Sequence, residues 1–287
     1  MHGISRRNML AGAAALGLAG MLPGQAGAAP LEKVKALGTI RIALYKDNSP
    51  WSWRQDGQMT GIDSDIANAI AGKLGVRADL AELMADESVD DDLRNGVWKG
   101  GLLGFAAADL MLHVPFDRQF AARNDQVAIV APYYRENFQF ACRHGEMDCE
   151  APLTAFRGHK LAVELDSIPD FYLLGAFAGI LSKDLTHFPT GAQAASAVAR
   201  GDADAVLASR AQIEAALKAN QGVNFDRRKM PLPGFTSAGW DIGMAVKENS
   251  RSLGDAVEEI MSGMAKSGEL AAIFGRYGVS YVPASVS

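Results

Sequence analysis

Cysteine and histidine are scarce in this sequence. The 287 residues include two cysteines, Cys142 and Cys149, and five histidines. A structural zinc site takes four ligands, and the cysteines have only His144 nearby, so we expect no metal site. Cysteines this close together predict a small disulfide loop in an oxidising compartment, with two free thiols as the alternative.

Positive charge is also in deficit. The chain has 28 lysines and arginines against 33 aspartates and glutamates, a net charge of −5. An acidic surface repels phosphate backbones, so we expect no nucleic-acid partner. Any site for an anionic ligand must then be a local basic pocket within an acidic field.

Motifs of common enzyme classes are missing. We find no G-x-S-x-G turn, no Walker loop and no H-E-x-x-H pair, and the histidines are scattered along the chain. These absences favour a binding protein without catalytic activity. An enzyme remains the second class of function, because a fold alone does not fix function.

Long apolar runs are absent beyond the N-terminal region. Residues 1–28 are typical of an export signal, with the twin-arginine pattern in Ser5–Leu10, an apolar run over Met9–Leu22 and an A-x-A cleavage site at Ala26–Ala28. The apolar run is too short to span a bilayer as a helix. We therefore expect a periplasmic protein exported by the twin-arginine route, with an uncleaved membrane anchor as the alternative.

What the sequence does contain is a regular alternation of strand and helix patterns. Thr39–Leu44 alternates as a strand, and Ile66–Leu74 has a helical period with Asp63 or Ser64 as its cap. The acidic segment Glu82–Asp92 lacks the glycine and ligand spacing of a calcium loop, so we interpret it as a solvated loop and helix start. The alternation predicts an α/β fold with mostly parallel sheets.

The most informative stretch is Ala108–Tyr134. It contains two strand-like runs, Leu110–Val114 and Val127–Ala131, joined by a polar turn with Arg118 and Arg123. An arginine beside strand ends suits a carboxylate ligand, because its planar group donates two parallel hydrogen bonds. A surface arginine between two strands is the alternative.

Three other side chains have two interpretations each. Trp51 and Trp53 are two residues apart, so a strand would point them to one face, either as an aromatic wall for a ligand or into the core. Ser167 follows the predicted strand Leu161–Leu165 and begins a helix. That position either accepts an anion or simply caps the helix.

Four blocks in order make the chain resemble the periplasmic solute-binding proteins of ABC importers, the family that includes polar amino-acid receptors. They are P-W-S-W with G-I-D-S-D (50–65), A-D…R…P-Y-Y (108–134), R-G-D-A-D-A-V (200–206) and W-D-I-G-M-A-V-K (240–247). Each block is weak alone, but together they cover nearly all of the chain after residue 28.

The resemblance implies a two-lobed periplasmic binding protein of type II, with two hinge strands and a ligand cleft between the lobes. The first lobe would comprise residues 30–134 and 237–287, and the second 135–236. An ABC transporter permease would be the partner. Ligands in open α/β sheets lie beyond the carboxyl ends of strands, and hinge closure traps them.

The resemblance also implies site residues. Arg123 stands nine residues before Pro132, where the family keeps its carboxylate-binding arginine, and Ser209 replaces the aspartate that would pair with a ligand ammonium. A carboxylate-bearing ligand is therefore expected and an α-amino acid is doubtful, because a buried ammonium would lack its partner. The residues expected to contact the ligand are Arg123, Trp51, Trp53, Tyr45, Asp63, His113, Val114, Ser167, Ser209 and Trp240.

A narrower resemblance, carried by the V-P…A-P-Y-Y run, is to solute-binding-like proteins associated with quinoprotein methanol and alcohol dehydrogenases. It implies a flat, multi-carboxylate aromatic ligand such as pyrroloquinoline quinone (PQQ), or another organic acid, with no resident cofactor. The alternatives are a protein partner of a periplasmic quinoprotein dehydrogenase, with a vestigial cleft, and a polar amino-acid binder.

Overall fold

Two five-stranded sheets organise the chain. The structure is a computed structural model that describes residues 30–101, 104–235 and 239–285. Each sheet has its own buried apolar clusters, so each forms the centre of one lobe.

In the described residues, the first lobe contains the five strands of one sheet, the two strands of a hairpin and most of the longer helices. Its strands are β1 (Thr39–Tyr45), β2 (Trp53–Gln55), β3 (Gln58–Thr60), β4 (Arg77–Leu83), β5 (Leu110–Pro115), β6 (Val127–Glu136) and β12 (Trp240–Lys247). Its helices are α1 (Pro30–Leu37), α2 (Ile62–Leu74), α3 (Val89–Leu93), α4 (Arg118–Arg123), α8 (Arg251–Ser267) and α9 (Glu269–Arg276). β2 and β3 form a separate hairpin, and the other five strands pair in the order β4-β1-β5-β12-β6.

The second lobe is built from the middle of the chain. Its strands are β7 (Phe138–Arg143), β8 (Leu161–Glu164), β9 (Leu185–Phe188), β10 (Ala205–Ser209) and β11 (Phe225–Arg227). They pair in the order β11-β7-β10-β8-β9. Its helices are α5 (Ile168–Gly175), α6 (Gly191–Arg200) and α7 (Arg210–Ala219). The predicted disulfide is present, with Cys142 and Cys149 joined and their Cα atoms 5.7 Å apart.

The sheets are mixed rather than mostly parallel, which corrects the expectation from the sequence. β1 pairs in parallel with β4 and β5, but β12 runs antiparallel to β5 and β6. The second sheet likewise has parallel β8, β9 and β10, with β7 antiparallel to β10. The antiparallel pairs arise because β6 leads out of the first lobe and β12 returns beside it, with Trp240 opposite Glu136.

The chain passes between the sheets in two places, after β6 and before β12, as a two-strand hinge requires. The boundaries at 134/135 and 236/237 remain a prediction, and residues 236–238 lie outside the described residues. The export signal at 1–28 also lies outside them. In the segments that the structure describes, no helix is both long and apolar enough to span a membrane.

α2 begins four residues earlier than its period predicted. Its N-cap is Gly61, whose φ of 122° is disfavoured for other residues. A Cβ at this position would lie 2.2 Å from the carbonyl oxygen of Trp51. The close approach brings Asp63 into the first turn, where its backbone N–H donates to the same carbonyl.

Candidate functional site

The candidate site is a cavity of about 660 Å³ to which both lobes contribute. It lies beyond the ends of β1, β4, β5 and β8, where open α/β sheets bind ligands. The first lobe contributes Tyr45, Lys46, Asp47, Asn48, Ser49, Met84, Ala85, Asp86, Glu87, Ser88, Val89, Asp92, His113 and Pro115, with Trp240 and Ile242 from β12. The second lobe contributes Glu164, Pro189, Thr190 and Gln212.

A bulge in β5 determines where His113 points. Leu112 and His113 together face the single residue Met244 of β12, so the ladder loses its register here. His113 has a φ of 63°, in the left-handed region that is costly for a residue with a Cβ. Bulges re-aim side chains beside functional sites, and this one places the imidazole on the cavity wall.

The buried carboxylate of Asp63 contacts the imidazole on the side away from the cavity. The Asp63 side chain is 1% exposed, and its Oδ2 lies 3.1 Å from Nδ1 of His113. The hydroxyl of Tyr133 donates to Oδ1 of Asp63 at 2.7 Å. Burial beside this carboxylate raises the pKa of the Tyr133 hydroxyl, so that hydroxyl keeps its proton and remains a donor.

Acidic groups dominate the first-lobe wall. The hydroxyl of Tyr45 donates to Oδ2 of Asp92 at 2.7 Å, and the backbone N–H of Asp86 donates to Oδ1 at 2.8 Å. Burial raises the pKa of the Asp92 carboxyl, and the charge of Asp86 raises it further. Asp47 and Glu87 add two more carboxylates to this wall. A cationic ligand group would relieve the repulsion among them.

Glu164 supplies the acidic group of the second lobe. It is the last residue of β8, and the backbone N–H of Gly191 at the start of α6 donates to its Oε2 at 2.8 Å. The side chain of Gln212 also hydrogen bonds to it. Burial raises the pKa of the Glu164 carboxyl against both hydrogen bonds. The carboxylate is therefore held in position facing the cavity.

Three of the residues expected from the sequence line the cavity. They are Tyr45, His113 and Trp240, which come from three adjacent elements of the first lobe. Asp63 reaches the cavity only through His113, because its carboxylate lies behind the imidazole. Their contact with a ligand remains a prediction.

The structure places Trp51 and Arg123 elsewhere. Trp51 is 2% exposed, and its ring packs against Tyr134 and Phe274 with centroids 5.0 and 5.7 Å away. It therefore has no free face on which a ligand could stack, and it supports the edge of His113 instead. Arg123 ends α4 with its side chain 58% exposed and its Nε 3.1 Å from Asp90. Neither residue lines the cavity.

Four further expected residues have structural roles in this geometry. Val114 is fully buried and pairs with Gly243 in the first sheet. Trp53 packs edge-on against Tyr277 on the β2–β3 hairpin. Ser167 caps α5 by accepting from Asp170, which is the alternative that the sequence left open. Ser209 forms a capping box with Gln212 at the start of α7.

The prediction from the sequence looked for the acidic residue of the second lobe at position 209, and it therefore missed the acid that lines the cavity. No carboxylate stands at 209, but Glu164 on the neighbouring parallel strand β8 faces the same cavity. Its one sequence signal is that an acid ends a buried strand, L-A-V-E, where α/β proteins place ligand contacts. Gln212, three residues after Ser209, also lines the cavity and binds Glu164.

The charge balance of the wall favours a cationic ligand group. Five carboxylates line the cavity, from Asp47, Asp86, Glu87, Asp92 and Glu164. Against them stand Lys46 and His113. Like charges across a contact cost several kcal/mol, so such a wall disfavours a ligand with several carboxylates and accepts an ammonium or guanidinium. In the described ranges, no group of acidic, histidine and cysteine side chains could hold a metal ion.

The comparisons with known proteins agree with this architecture. The chain is 24% identical over 245 residues to the L-cystine-binding protein TcyJ of Escherichia coli (strain K12), covering 85% of this chain and 84% of that protein. No family model matches the chain.

Two solved structures extend the likeness to the fold. An ancestral cationic amino acid solute binding protein superposes with a TM-score of 0.65 at 19% identity, covering 86% of this chain and 99% of that one. An amino acid ABC transporter substrate-binding protein of Streptococcus pneumoniae bound to L-arginine gives a TM-score of 0.62 at 20% identity, covering 88% and 100%. The chain has the fold of the amino-acid-binding proteins of ABC importers.

Proposed function

We propose that this chain is the periplasmic solute-binding component of an ABC importer and that it binds a polar amino acid. The observation that carries the proposal is the carboxylate of Glu164, fixed by Gly191 and Gln212 and facing a cavity that both lobes line. A carboxylate held in this way accepts charge-assisted hydrogen bonds from an ammonium group. Glu164 would thereby take the role of the acidic residue that is absent at position 209.

The acidic wall argues against PQQ as the ligand. That quinone carries several carboxylates, and no arginine lines the described part of the cavity to pair with them. The stacking surface expected from Trp51 is buried in the core. The proteins similar to this chain include an L-cystine-binding protein and an amino acid substrate-binding protein bound to L-arginine, which supports the amino-acid alternative.

A ligand screen tests the proposal. Purified protein is titrated with L-arginine, L-cystine, the other common amino acids, PQQ and small dicarboxylates, with thermal shift first and calorimetry on each hit. At least one amino acid should bind, and PQQ and the dicarboxylates should not. Binding of PQQ alone would contradict the proposal, as would the absence of any amino-acid ligand.

A variant then tests the role of Glu164. Glu164→Gln keeps the shape and the contact with Gly191 but removes the charge. It should weaken the best amino acid by about 10- to 150-fold, the range expected for a hydrogen bond to a charged group. Glu146→Gln, on an exposed residue of the same lobe outside the cavity, is the matched control and should bind as the wild type does.

A further inference from the structure

His113 combines three features that separately indicate a positioned functional group. Its backbone is strained, its position in β5 is a bulge, and its imidazole lines the cavity while 19% exposed. The rings of Trp51 and Tyr45 contact it edge-on, with centroids 4.7 and 6.3 Å away. A strained residue held by this many neighbours is a candidate for function, because the fold maintains it at a cost.

The partner of the imidazole determines what its outer edge can do. A carboxylate oxygen accepts hydrogen bonds, so the contact of Asp63 Oδ2 with Nδ1 of His113 assigns the ring proton to Nδ1. Nε2 is then the nitrogen left for a ligand. In a neutral ring Nε2 accepts a hydrogen bond, and in a protonated ring it donates. A ligand carboxylate requires the donor.

We propose that His113, held on the buried carboxylate of Asp63, receives the carboxylate of the bound amino acid. The inference deepens the proposed function and rests on it. His113 thereby takes the role that the sequence assigned to Arg123, which the structure places outside the cavity. His113 lines the cavity from the first lobe, and the carboxylate of Glu164 lines it from the second. A zwitterion that contacts His113 through its carboxylate and Glu164 through its ammonium group would draw the lobes together.

The proposal can be tested by measuring the protons that are taken up or released when the ligand binds. The titratable groups around it are Asp63 on α2, Tyr133 on β6, Tyr45 on β1 with its partner Asp92, and, on the cavity wall, Lys46, Asp47, Asp86, Glu87 and Glu164. Imidazole changes its charge between about pH 5 and 8. A ligand carboxylate that needs the protonated ring should therefore be bound with uptake of a proton at the upper end of that range.

The experiment compares three variants of the full chain with the wild type. The ligands are the amino acid that binds best in the screen and the amine that lacks its α-carboxylate. His113→Asn removes the charge, and asparagine tolerates a positive φ, so the backbone can stay as it is. His113→Arg keeps a charge that does not titrate. His144→Asn, at an exposed histidine that also contacts an aspartate but lies outside the cavity, is the matched control. Circular dichroism and thermal melts establish that each variant is folded.

Calorimetry from about pH 5.5 to about pH 8, in buffers of different ionisation enthalpy, gives the readout. We expect the wild type to take up a proton on binding and to lose affinity as the pH rises. His113→Asn should lose at least about tenfold in affinity for the amino acid and abolish the proton uptake. Its affinity for the amine should stay the same. His113→Arg should bind without the pH dependence, and His144→Asn should behave as the wild type does.

Each other outcome overturns the proposal. If folded His113→Asn binds the amino acid as tightly as the wild type, His113 is not the carboxylate contact, and the proposed function survives. An equal loss for the amino acid and the amine would make His113 a structural residue only. If the wild type binds no amino acid at all, the proposed function and this inference fail together.

Discussion

The side chains of Arg123 and Asp90 form an ion pair between α4 and α3, with Nε of the arginine 3.1 Å from Oδ1 of the aspartate. The Asn124 side chain donates to the same carboxylate, and the guanidinium lies over the ring of Phe120, 4.8 Å from its centroid. Together these bonds lower the pKa of the Asp90 carboxyl, with Asn124 as the largest cause. Arg123 is therefore engaged locally, on an exposed surface.

The first prediction is that Arg123→Ala leaves ligand binding unchanged. The arginine does not line the cavity, so the affinity should stay within about twofold of the wild type. Because the pair with Asp90 is exposed, its loss should lower the free energy of unfolding by no more than about 1 kcal/mol. Calorimetry and urea unfolding measure the two quantities. A loss of tenfold or more in affinity would restore the carboxylate role that the sequence implied.

The direction of the Arg123 side chain does not follow from counting residues along the sequence. The sequence identified the two flanking strands and the charged connection between them, but not that the connection forms α4. Arg118 and Arg123 stand at opposite ends of that helix, so a position counted back from Pro132 does not fix a direction in space. The direction of the side chain depends on local hydrogen bonds of α4 with α3, which the sequence does not encode as a motif.

Local signals were more reliable. The disulfide between Cys142 and Cys149 and the two-sheet α/β architecture are confirmed. The contribution of Glu164 was missed because it requires knowing that β8 lies beside β10 in the second sheet. That neighbourhood is set by packing between distant segments, whereas capping and disulfide signals lie within a few residues of each other.

The second prediction concerns Glu136, which ends β6 where the chain leaves the first lobe. Its carboxylate accepts from the backbone N–H of Asn137 at 2.9 Å and of Ala211 at 3.3 Å. Burial raises the pKa of Glu136 to about 7, above its ordinary value of 4.5. Between these two pH values the folded chain holds a proton that the unfolded chain releases. Stability should therefore fall as the pH rises from about 4.5 to about 7, by about 3 kcal/mol for this group.

Glu136→Gln isolates that contribution. The variant should show a flatter dependence of the unfolding free energy on pH, and at about pH 8 it should be at least as stable as the wild type. Urea unfolding at closely spaced pH values measures the slope, with Glu146→Gln as a control on an exposed acid. A slope in Glu136→Gln equal to that of the wild type would show that Glu136 does not titrate in this range.

The third prediction concerns the disulfide. The bond between Cys142 and Cys149 closes a short loop in the second lobe, and neither residue lines the cavity. Replacing both with alanine should lower the free energy of unfolding by about 2–3 kcal/mol, from the loop entropy returned to the unfolded chain. Ligand affinity should not change. Thiol labelling of the non-reduced, denatured wild type should find no reactive thiol, and two reactive thiols per chain would contradict the bond.

The last prediction is that ligand binding closes the lobes. The cavity wall is divided between Glu164 on the second lobe and Asp92 with His113 on the first, while the described chain crosses between the lobes after β6 and before β12. A ligand that contacts both walls stabilises the closed arrangement by its additional contacts there, so it shifts the population toward closure. Solution scattering should therefore record a smaller radius of gyration at saturating amino acid. Glu164→Gln, saturated with the same ligand, should close less completely, because the second lobe has lost its charged contact. An unchanged radius for the saturated wild type would mean that one lobe alone holds the ligand, and would favour the alternative of a protein partner with a vestigial cleft.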